Sequence, residues 1–309
     1  MIDVNIIVLN YNGEKIIPEC LPSIIEAAGA SRCKVKVTVV DNESKDDSLE
    51  VLRSYGSDIE VLPLKNRVLC SFNDAVRAQK EDIAILLNND IKVDKGFVDP
   101  LVKVFEDNED AFMASPKCYA FDGKTPEGGR SKGFIKYGWF GAMARYDGWK
   151  DELDEPGYTF QSGFGAVRKD RFLELGGYDD LYLPGRLEDS DIGFRAWKRG
   201  WKSYYAPGSV VYHMGGITFN KEFGKKGVSA IDSRNSAMFF WKNISDPRYW
   251  LMHILFMPVR VLWWLSRGDF AAVKGLFRAF GRIPEIAERR AKNRGEEKYG
   301  DREIFSIFE

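Results

Sequence analysis

Three oxygen-bearing side chains end an apolar run at residues 86–90, whose sequence is LLNND. Asn88, Asn89 and Asp90 can bind polar or charged ligands, and the run before them is typical of a buried strand. Comparable acidic residues follow another apolar run or open a predicted helix: Asp41, Glu188 and Asp189. Parallel strands end at one edge of a sheet, where open α/β folds bind ligands, so together these residues predict one site. Each alone could instead form a turn or cap a helix.

The elements that must position these side chains alternate along the first half of the chain. Short β-branched runs predict strands at 4–10, 35–41, 59–63 and 83–87. Amphipathic stretches predict helices at 14–29, 47–55, 69–79 and 97–107. Such alternation predicts βαβ units and an α/β fold with a mostly parallel central sheet flanked by helices. The periodicity is lost between 119 and 160, which we interpret as a substrate-side insertion.

The charge of the whole chain is nearly balanced, with 45 Lys and Arg against 46 Asp and Glu in 309 residues. This composition gives no overall attraction to nucleic acid. The four cysteines are scattered without a C-x-x-C pair, which argues against a zinc knuckle or disulfide framework and favours a reducing compartment. The N-terminus lacks the basic region of a signal peptide, so we expect a cytoplasmic protein.

Six motifs, found in order between residues 3 and 215, carry a resemblance to a known family. The chain resembles the GT-A inverting glycosyltransferases of family 2, in particular the rhamnosyltransferase-like branch of bacterial polysaccharide assembly. The motifs are VLNYNG, VVDNESKDDS, LLNND, SGFGAVRKDRFLELGGYDD, EDSDIGFRAWKRG and YH. The resemblance implies a GT-A catalytic domain at 1–241, with a nucleotide-binding half at 1–118 and an acceptor half at 119–241.

The resemblance also implies a nucleotide site on the first half of the chain. Its residues are expected to be Asn10, Tyr11, Asp41, Asn66, Asn73 and Asn89. A base ring favours an aromatic surface, and a carboxylate can accept from its imide N–H, so these residue types suit the role. The sequence departs from the family pattern at Val68 and Ser71, where small residues or glycine are usual, so we expect an altered backbone approach to the nucleotide there.

A metal site is implied at Asn88-Asn89-Asp90, which occupies the position of the family's D-x-D motif. Asn88 replaces the first carboxylate, so Asp90 should be the main anionic ligand of a divalent cation that neutralises a diphosphate leaving group. Related enzymes complete this site with a histidine where His213 stands, although a histidine at a strand end can also be structural. An imidazole ligand would favour Mn²⁺ over Mg²⁺.

Asp189 aligns with the family's general base, which takes the proton of the acceptor hydroxyl during inverting transfer. Glu188 is expected beside the acceptor hydroxyls or orienting the base. The alternative for Asp189 is capping of the helix, where an acid in the first turn has a lowered pKa. Asp191 and Arg195 stand four residues apart on the predicted helix and should form a structural pair.

The region 242–309 is predicted to be a helical, basic extension. From Lys242 to Arg294, eleven Lys and Arg stand against four Asp and Glu, a balance of +7.

The apolar stretch at 249–270 is interrupted by polar residues and proline, so we do not expect it to span a membrane. One helical face carries Phe270, Val273, Phe277 and Phe280, and another carries Lys274, Arg278 and Arg282. This pattern favours an anionic membrane surface, and packing on the catalytic domain or a dimer contact is the alternative. Residues 288–303 are predicted to be a solvated tail.

We therefore expect a metal-dependent inverting glycosyltransferase that acts at the cytoplasmic face of the cell membrane. It should move a sugar from a dTDP- or UDP-sugar, with rhamnose as the first candidate, to a hydroxyl of a growing, lipid-linked glycan. A non-catalytic sugar-nucleotide or glycan-binding protein of a membrane complex is the alternative. The chain lacks the glycine-rich phosphate loop of a nucleotidyltransferase and the G-x-G-x-x-G of a dinucleotide-binding oxidoreductase. The base, sugar, acceptor, linkage and oligomeric state are not encoded in a readable pattern.

Overall fold

The computed structural model describes residues 2–215 and 217–309, with side chains described outside 217–221. The strands are β1 (Val4–Asn10), β2 (Val35–Asp41), β3 (Glu60–Pro63), β4 (Ile83–Asn88), β5 (Ile91–Val93), β6 (Ala111–Ala120), β7 (Pro126–Gly128), β8 (Lys132–Lys136), β9 (Trp139–Met143), β10 (Gly157–Tyr158), β11 (Gly165–Arg168) and β12 (Lys202–His213). The helices are α1 (Ile17–Ala30), α2 (Ser48–Arg53), α3 (Ser71–Ala78), α4 (Val98–Asp107), α5 (Lys169–Glu174), α6 (Glu188–Lys198), α7 (Ile217–Asn243), α8 (Pro247–Ser266), α9 (Phe270–Phe280), α10 (Ile283–Asn293) and α11 (Asp301–Ser306).

A mixed central sheet runs through the first two thirds of the chain, in the strand order β10-β12-β6-β11-β4-β1-β2-β3. The β4-β1-β2-β3 half is parallel, as the alternation of runs predicts, while β11 lies antiparallel between β4 and β6. Every residue of β1 is buried, because helices cover both faces of a parallel sheet. The predicted α/β class with a helix-flanked sheet is confirmed.

Strand register brings the predicted polar residues to one edge of the sheet. Asn10 is paired with Asp41 across β1 and β2, and Leu9 is paired with Asn88 across β1 and β4. On the other side, β12 runs antiparallel to β5, which places His213 opposite Ile91. The carboxyl ends of β1, β2 and β4 and the end of β12 therefore supply neighbouring side chains.

Residues 119–160, predicted to be irregular, contain short strands. β8 and β9 form a hairpin in which Lys136 pairs with Trp139. The two residues between them, Tyr137 and Gly138, have φ angles of 51° and 64°. Positive φ at both central positions is the geometry of the two-residue hairpin turn that matches strand twist. The turn carries no Asn-Gly or Asp-Gly signal, which explains why the sequence pattern does not reveal the hairpin.

A second, aromatic core joins the C-terminal helices to the rest of the chain between residues 119 and 241. It includes Phe140 of β9, Phe194 of α6, Phe239 of α7, Leu276 of α9 and Phe305 of α11. α9 packs closely on α7, since a Cβ added to Gly275 would lie 2.1 Å from the carbonyl oxygen of Ala230. The proposed boundary between 241 and 242 falls within α7, so the two regions share this core.

Residues 288–303, predicted to be a solvated tail, are mostly exposed, although α10 extends to Asn293 and α11 begins at Asp301. After this stretch, Ile304, Phe305 and Phe308 are buried in the aromatic core. Asp301 is buried and pairs with Lys198 of α6. Among the described residues, no helix is long and apolar enough to cross a bilayer.

Candidate active site

A hydrogen-bonded group of polar side chains closes the edge formed by β1, β2 and β4. The side chain of Asn10 is buried, and its Nδ2 donates to Oδ1 of Asp41 at 3.3 Å. Its Oδ1 accepts from Nδ2 of Asn89 at 2.8 Å. Gly13 is required beside them, because a Cβ there would lie 2.1 Å from Oδ1 of Asn10. The edge is thus held in a fixed arrangement before any ligand binds.

The other predicted nucleotide residues differ in how free they are to meet a ligand. The ring of Tyr11 is 49% exposed at this edge. Asn66 is partly buried, and its Oδ1 accepts from the backbone N–H of Val68 at 2.9 Å. Asn73 is bound on both sides by Tyr178, accepting from its N–H at 2.9 Å and donating to its carbonyl at 2.8 Å. Both polar atoms of the Asn73 side chain are therefore engaged by the backbone of Tyr178, and its predicted nucleotide contact stays a prediction.

Val68, in the loop before α3, and Ser71, at the start of that helix, are the two residues that depart from the family pattern. Val68 has a φ of 53°, a left-handed conformation that is a genuine outlier for a β-branched residue and natural for glycine. Ser71 stabilises the loop, because its hydroxyl donates to Oδ1 of Asn42 at 2.7 Å and accepts from the N–H of Arg67 at 3.0 Å. The backbone thus keeps a conformation suited to glycine while Val68 adds a side chain, which is 41% exposed.

Asp90 and His213 form the candidate cation site. Nε2 of His213 lies 3.6 Å from Oδ2 of Asp90, and the two chain segments are joined by a hydrogen bond from the N–H of Met214 to the carbonyl of Asp90. Two donors on one divalent cation, each about 2.1 Å from it, are separated by roughly 3–4 Å. Oδ1 of Asp90 is buried and has no hydrogen-bond partner among the residues that the structure describes. A buried carboxylate oxygen needs such a partner, so the site fits a cation. Asn88, at the end of β4, is partly buried.

Glu127 is a member of this site that the sequence does not predict. Its Oε2 lies 3.6 Å from Nδ1 of His213, on the opposite side of the ring from Asp90. Cys118 also lies within reach, since its ligand atom and those of Glu127 and His213 are within 4.8 Å of one another. In the absence of a cation, burial raises the pKa of the Cys118 thiol to about 12, and a soft sulfur donor suits Mg²⁺ or Mn²⁺ less well than carboxylate oxygens do. Glu127 stands in a glycine-rich segment without periodicity, so no sequence signal identifies it.

Glu188 and Asp189 open α6 after a strained turn, in which Arg186 and Leu187 have φ angles of 73° and 76°. Burial raises the pKa of both carboxyl groups, and the pKa of Glu188 reaches about 8, with the charge of Asp189 as the second cause. Oδ1 of Asp189 accepts from the N–H of Ser190 at 2.7 Å, which lowers its pKa less than burial raises it. Desolvation therefore outweighs the helix-capping effect, and a carboxylate with a raised pKa is suited to taking up a proton.

The short segment 162–165 connects the two halves of the site. A Cβ added to Gly163 would lie 3.6 Å from Oδ2 of Asp189. The ring of the next residue, Phe164, lies 5.9 Å from the ring of His213, centroid to centroid. Adjacent residues of one segment therefore contact the predicted base on one side and the predicted cation ligand on the other. This adjacency brings together residues from distant parts of the sequence.

Asp191 is buried at the centre of an ion-pair network below the site. Its Oδ2 accepts from Nε of Arg195 at 2.7 Å, which is the predicted structural pair. Its carboxylate also accepts from Nζ of Lys242 at 2.8 Å and from Nδ2 of Asn243 at 2.8 Å, both on α7. The charges of Lys242 and Arg195 outweigh the effect of burial and lower the pKa of Asp191. The helix that begins with Glu188 and Asp189 is thereby attached to α7.

Known proteins resemble this chain in sequence and in fold. Residues 5–173 match the family described as glycosyl transferase family 2. The N-acetylglucosaminyl-diphospho-decaprenol L-rhamnosyltransferase of Mycobacterium tuberculosis (strain CDC 1551 / Oshkosh) is 25% identical over 210 residues, which are 60% of this chain and 68% of that protein. The probable N-acetylgalactosaminyltransferase 9 of Caenorhabditis elegans is 23% identical over 198 residues, 58% of this chain and 34% of that protein.

Two solved structures share the fold. GalNAc-T7 with UDP, GalNAc and Mn²⁺ has a TM-score of 0.55 and 16% identity, covering 77% of this chain and 51% of that chain. Staphylococcus aureus TarS 1-349 in complex with UDP-GlcNAc has a TM-score of 0.52 and 15% identity, covering 82% of this chain and 71% of that chain. The chain thus spans about half of the length of the first structure and somewhat more than two thirds of the second.

Proposed function

The chain belongs to glycosyl transferase family 2, whose pattern it matches over residues 5–173, and we propose that it transfers a sugar with inversion at the anomeric carbon. The proposed donor is a nucleoside diphosphate sugar, and the proposed acceptor is a hydroxyl group of a lipid-linked glycan. The observation that carries this proposal is that two neighbouring residues, Gly163 and Phe164, lie next to Asp189 and His213 respectively. This supports a base and a leaving-group site close enough to act on one anomeric carbon, as inverting displacement requires.

Asp189 is proposed as the general base. Its carboxylate would take the proton of the acceptor hydroxyl while that oxygen bonds to the anomeric carbon and the bond to the diphosphate breaks. Because burial raises the pKa of Asp189, it holds a proton more tightly than an exposed aspartate does. Glu188, whose Oε2 is buried and finds no hydrogen-bond partner in the described part of the chain, is proposed to receive an acceptor hydroxyl.

Asn10, Tyr11, Asp41, Asn66 and Asn89 are proposed to form the nucleotide site. The exposed ring of Tyr11 can stack on a base, and Asp41 can accept from an imide N–H.

Asp90 and His213, with Asn88, are proposed to hold Mn²⁺ or Mg²⁺. When bound, the cation would neutralise charge on the departing diphosphate. Donor sets with an imidazole favour Mn²⁺ over Mg²⁺, which supports testing Mn²⁺ first.

The donor and acceptor classes are proposed from the relatives. The M. tuberculosis relative is named for rhamnosyl transfer to a diphospho-decaprenol-linked sugar, which makes dTDP-rhamnose the first donor to test. The TarS and GalNAc-T7 structures contain UDP or a UDP-sugar, which makes UDP-sugars the second. The four free cysteines suit the reducing interior of a cell, where nucleotide sugars would be met.

We further propose that α8 and α9 lie on an anionic membrane surface. Large apolar side chains of both helices are strongly exposed: Leu251 at 59%, Ile254 at 64%, Leu255 at 61%, Leu262 at 65%, Phe270 at 67% and Phe277 at 67%. Lys274 and Arg278 are exposed on α9, next to Phe277. An apolar helix face bordered by basic residues suits the interface of a bilayer that contains anionic lipids. α9 packs on α7 through its other face, with Gly275 at the contact.

The experiment that tests the catalytic proposal is substitution of Asp189 by Asn. Transfer of a radiolabelled sugar should fall by roughly 10²–10⁴-fold, the usual contribution of a general base, while the isotherm of UDP or dTDP with Mn²⁺ should be unchanged. Unchanged transfer would contradict the role of Asp189 as the general base.

Isotherms of Mn²⁺ with UDP, dTDP and GDP, with and without the Asp90→Ala change, would identify the nucleotide and test the cation site. Asp90→Ala should abolish the dependence of nucleotide affinity on Mn²⁺.

A further inference from the structure

A groove separate from the residues of the proposed donor site lies between α7, α8 and β9. Its volume is about 420 Å³, and its lining combines aromatic, cationic and hydroxyl-bearing side chains with one carboxylate, that of Asp232. The residues used below are Trp139, Lys225, Asp232, Arg260 and Trp264. A lining of this mixed kind can bind a ligand that has both apolar and charged parts.

Arg260 is the unusual member of the groove. Its guanidinium lies 4.6 Å from the centroid of the Trp139 ring. In the described part of the chain it has no carboxylate within ion-pair distance and donates no hydrogen bond. Burial alone lowers its pKa, because no neighbouring acid compensates for the lost solvent. Arg195, by contrast, is buried with Asp191 at 2.7 Å.

Removing a guanidinium partly from water without a counterion is unfavourable in free energy. An arginine cannot avoid this cost by losing its proton, because it stays charged at all ordinary pH values. Its planar donor group matches phosphate oxygens, which it can bind through two parallel hydrogen bonds. Lys225, at the exposed rim of the same groove, adds a second positive charge. The groove is therefore complementary to a phosphate-containing ligand, with Trp139 and Trp264 as apolar walls.

The position of the groove relates it to both the proposed base and the proposed membrane surface. Asp232, in its lining, forms an ion pair with Arg186, which stands two residues before Glu188. On the other side, the α8 helix that carries Arg260 exposes Val259 at 57% and Leu262 at 65%. A ligand lying in the groove would thus have one end near Asp189 and the other near a lipid surface.

We propose that this groove binds the diphosphate that links the acceptor glycan to its lipid, with Arg260 as the phosphate-binding residue. This inference rests on the proposed function, since it names a binding site for the proposed acceptor. Arg260 and the cation site would then bind different diphosphates: one belongs to the acceptor and stays intact, and the other leaves with the nucleotide. The lipid chain would leave the groove along the exposed face of α8.

The test is binding of farnesyl diphosphate and of inorganic pyrophosphate to the full chain by calorimetry, with EDTA present so that the donor site holds no cation. Arg260→Met keeps an apolar stem over Trp139 and removes the charge, and it should weaken farnesyl diphosphate binding at least tenfold. Arg260→Lys should retain part of the affinity. Arg267→Met is the matched control, because Arg267 also lies over a tryptophan, Trp263 at 5.1 Å, at the end of the same helix. It should change the affinity less than twofold.

Three results would overturn the inference. The first is an equal loss of affinity for farnesyl diphosphate in Arg260→Met and Arg267→Met. The second is displacement of farnesyl diphosphate by UDP, which would mean that it binds in the donor site. The third is equal affinity for pyrophosphate and farnesyl diphosphate, which would mean that a free anion rather than a lipid diphosphate is bound. Thermal unfolding of each variant separates misfolding from lost binding. Failure of sugar transfer to every acceptor would count against the proposed function and would leave these binding results standing.

Discussion

Glu127 and His213 face each other at 3.6 Å, between Oε2 and Nδ1, while Nε2 of the same ring points to Asp90. At 3.6 Å this contact is electrostatic rather than a hydrogen bond, and a carboxylate on this side favours the ring orientation that turns Nε2 toward Asp90 and a cation. Glu127 is therefore positioned to support His213 from outside the set of direct ligands.

We expect Glu127→Gln to weaken Mn²⁺ binding by about 10- to 100-fold, the usual effect of losing such a partner. Calorimetry of Mn²⁺ in the presence of saturating UDP or dTDP measures this. Asp147→Asn is the matched control, because Asp147 is an exposed acid in the same segment of the chain. An isotherm for Glu127→Gln that matches the control would contradict the positioning role.

The rate of transfer should rise with pH through the titration of the Glu188–Asp189 pair. Both carboxyl groups have raised pKa values, about 8 for Glu188, and the base must be deprotonated to act. Activity is thus lost as the pH falls. At the pH where Asp189 ionises, Glu188 still holds its proton, so Glu188→Gln should leave that step of kcat/KM in place and remove any step near pH 8. A step near pH 8 that survives in Glu188→Gln would show that Glu188 is not its source.

Glu188 should also make the stability of the fold depend on pH. Its pKa is raised from 4.5 to about 8 on folding, so its protonated form is favoured in the folded state. Its contribution to stability is full below pH 4.5 and is lost as the pH rises through about 8. Glu188→Gln should therefore raise the free energy of unfolding at pH 9 by about 1–3 kcal/mol and leave it nearly unchanged at pH 5.

Urea denaturation of the wild-type chain and the Glu188→Gln variant at the two pH values provides the measurement. Glu50→Gln serves as the control, since Glu50 is exposed in the first turn of α2. A stabilisation by Glu188→Gln that is equal at both pH values would mean that burial of the charge is not its cause.

Asp191→Asn should lower the free energy of unfolding by about 3–5 kcal/mol, because it leaves the buried guanidinium of Arg195 without its carboxylate and leaves Lys242 with Asp179 alone. Chemical denaturation measures the loss. Asp180→Asn is the comparison, since Asp180 pairs with Arg289 while its side chain is 49% exposed, and exposed pairs contribute less than about 1 kcal/mol. Similar losses in the two variants would argue against the network.

The membrane proposal predicts that Leu255→Asp combined with Leu262→Asp abolishes co-sedimentation with vesicles that contain anionic lipid. Burying two added carboxylates in a bilayer interface is unfavourable, and they also repel anionic headgroups. Met143→Asp, at a side chain that is 40% exposed on β9, should bind as the wild type does. Retained vesicle binding by the double variant, or equal binding of the wild type to purely zwitterionic vesicles, would contradict the proposed surface.

The sequence predicts those parts of the site that follow from strand ends. Asn10, Asp41 and Asn88 could be placed at one edge because β1, β2 and β4 are apolar, parallel and in simple register. His213 could be found because it ends a recognisable strand.

Contacts made across irregular backbone could not be found in this way. Glu127 meets His213 only because β7 is paired with β6. Asn73 is bound by the backbone of a residue 105 positions away, and Lys242 reaches Asp191 across 51 positions. No local periodicity encodes such pairings, since they depend on how separate elements pack.

The Lys242–Asp191 ion pair has a practical consequence for work with shorter pieces of the chain. A fragment that stops after residue 241 would contain every residue of the proposed donor site and base, yet it would lack the ammonium group and the Asn243 amide that neutralise and bind Asp191. The aromatic core would also lose Leu276 and Phe305. Expression trials should therefore keep the C-terminal helices, even for studies that concern nucleotide binding alone.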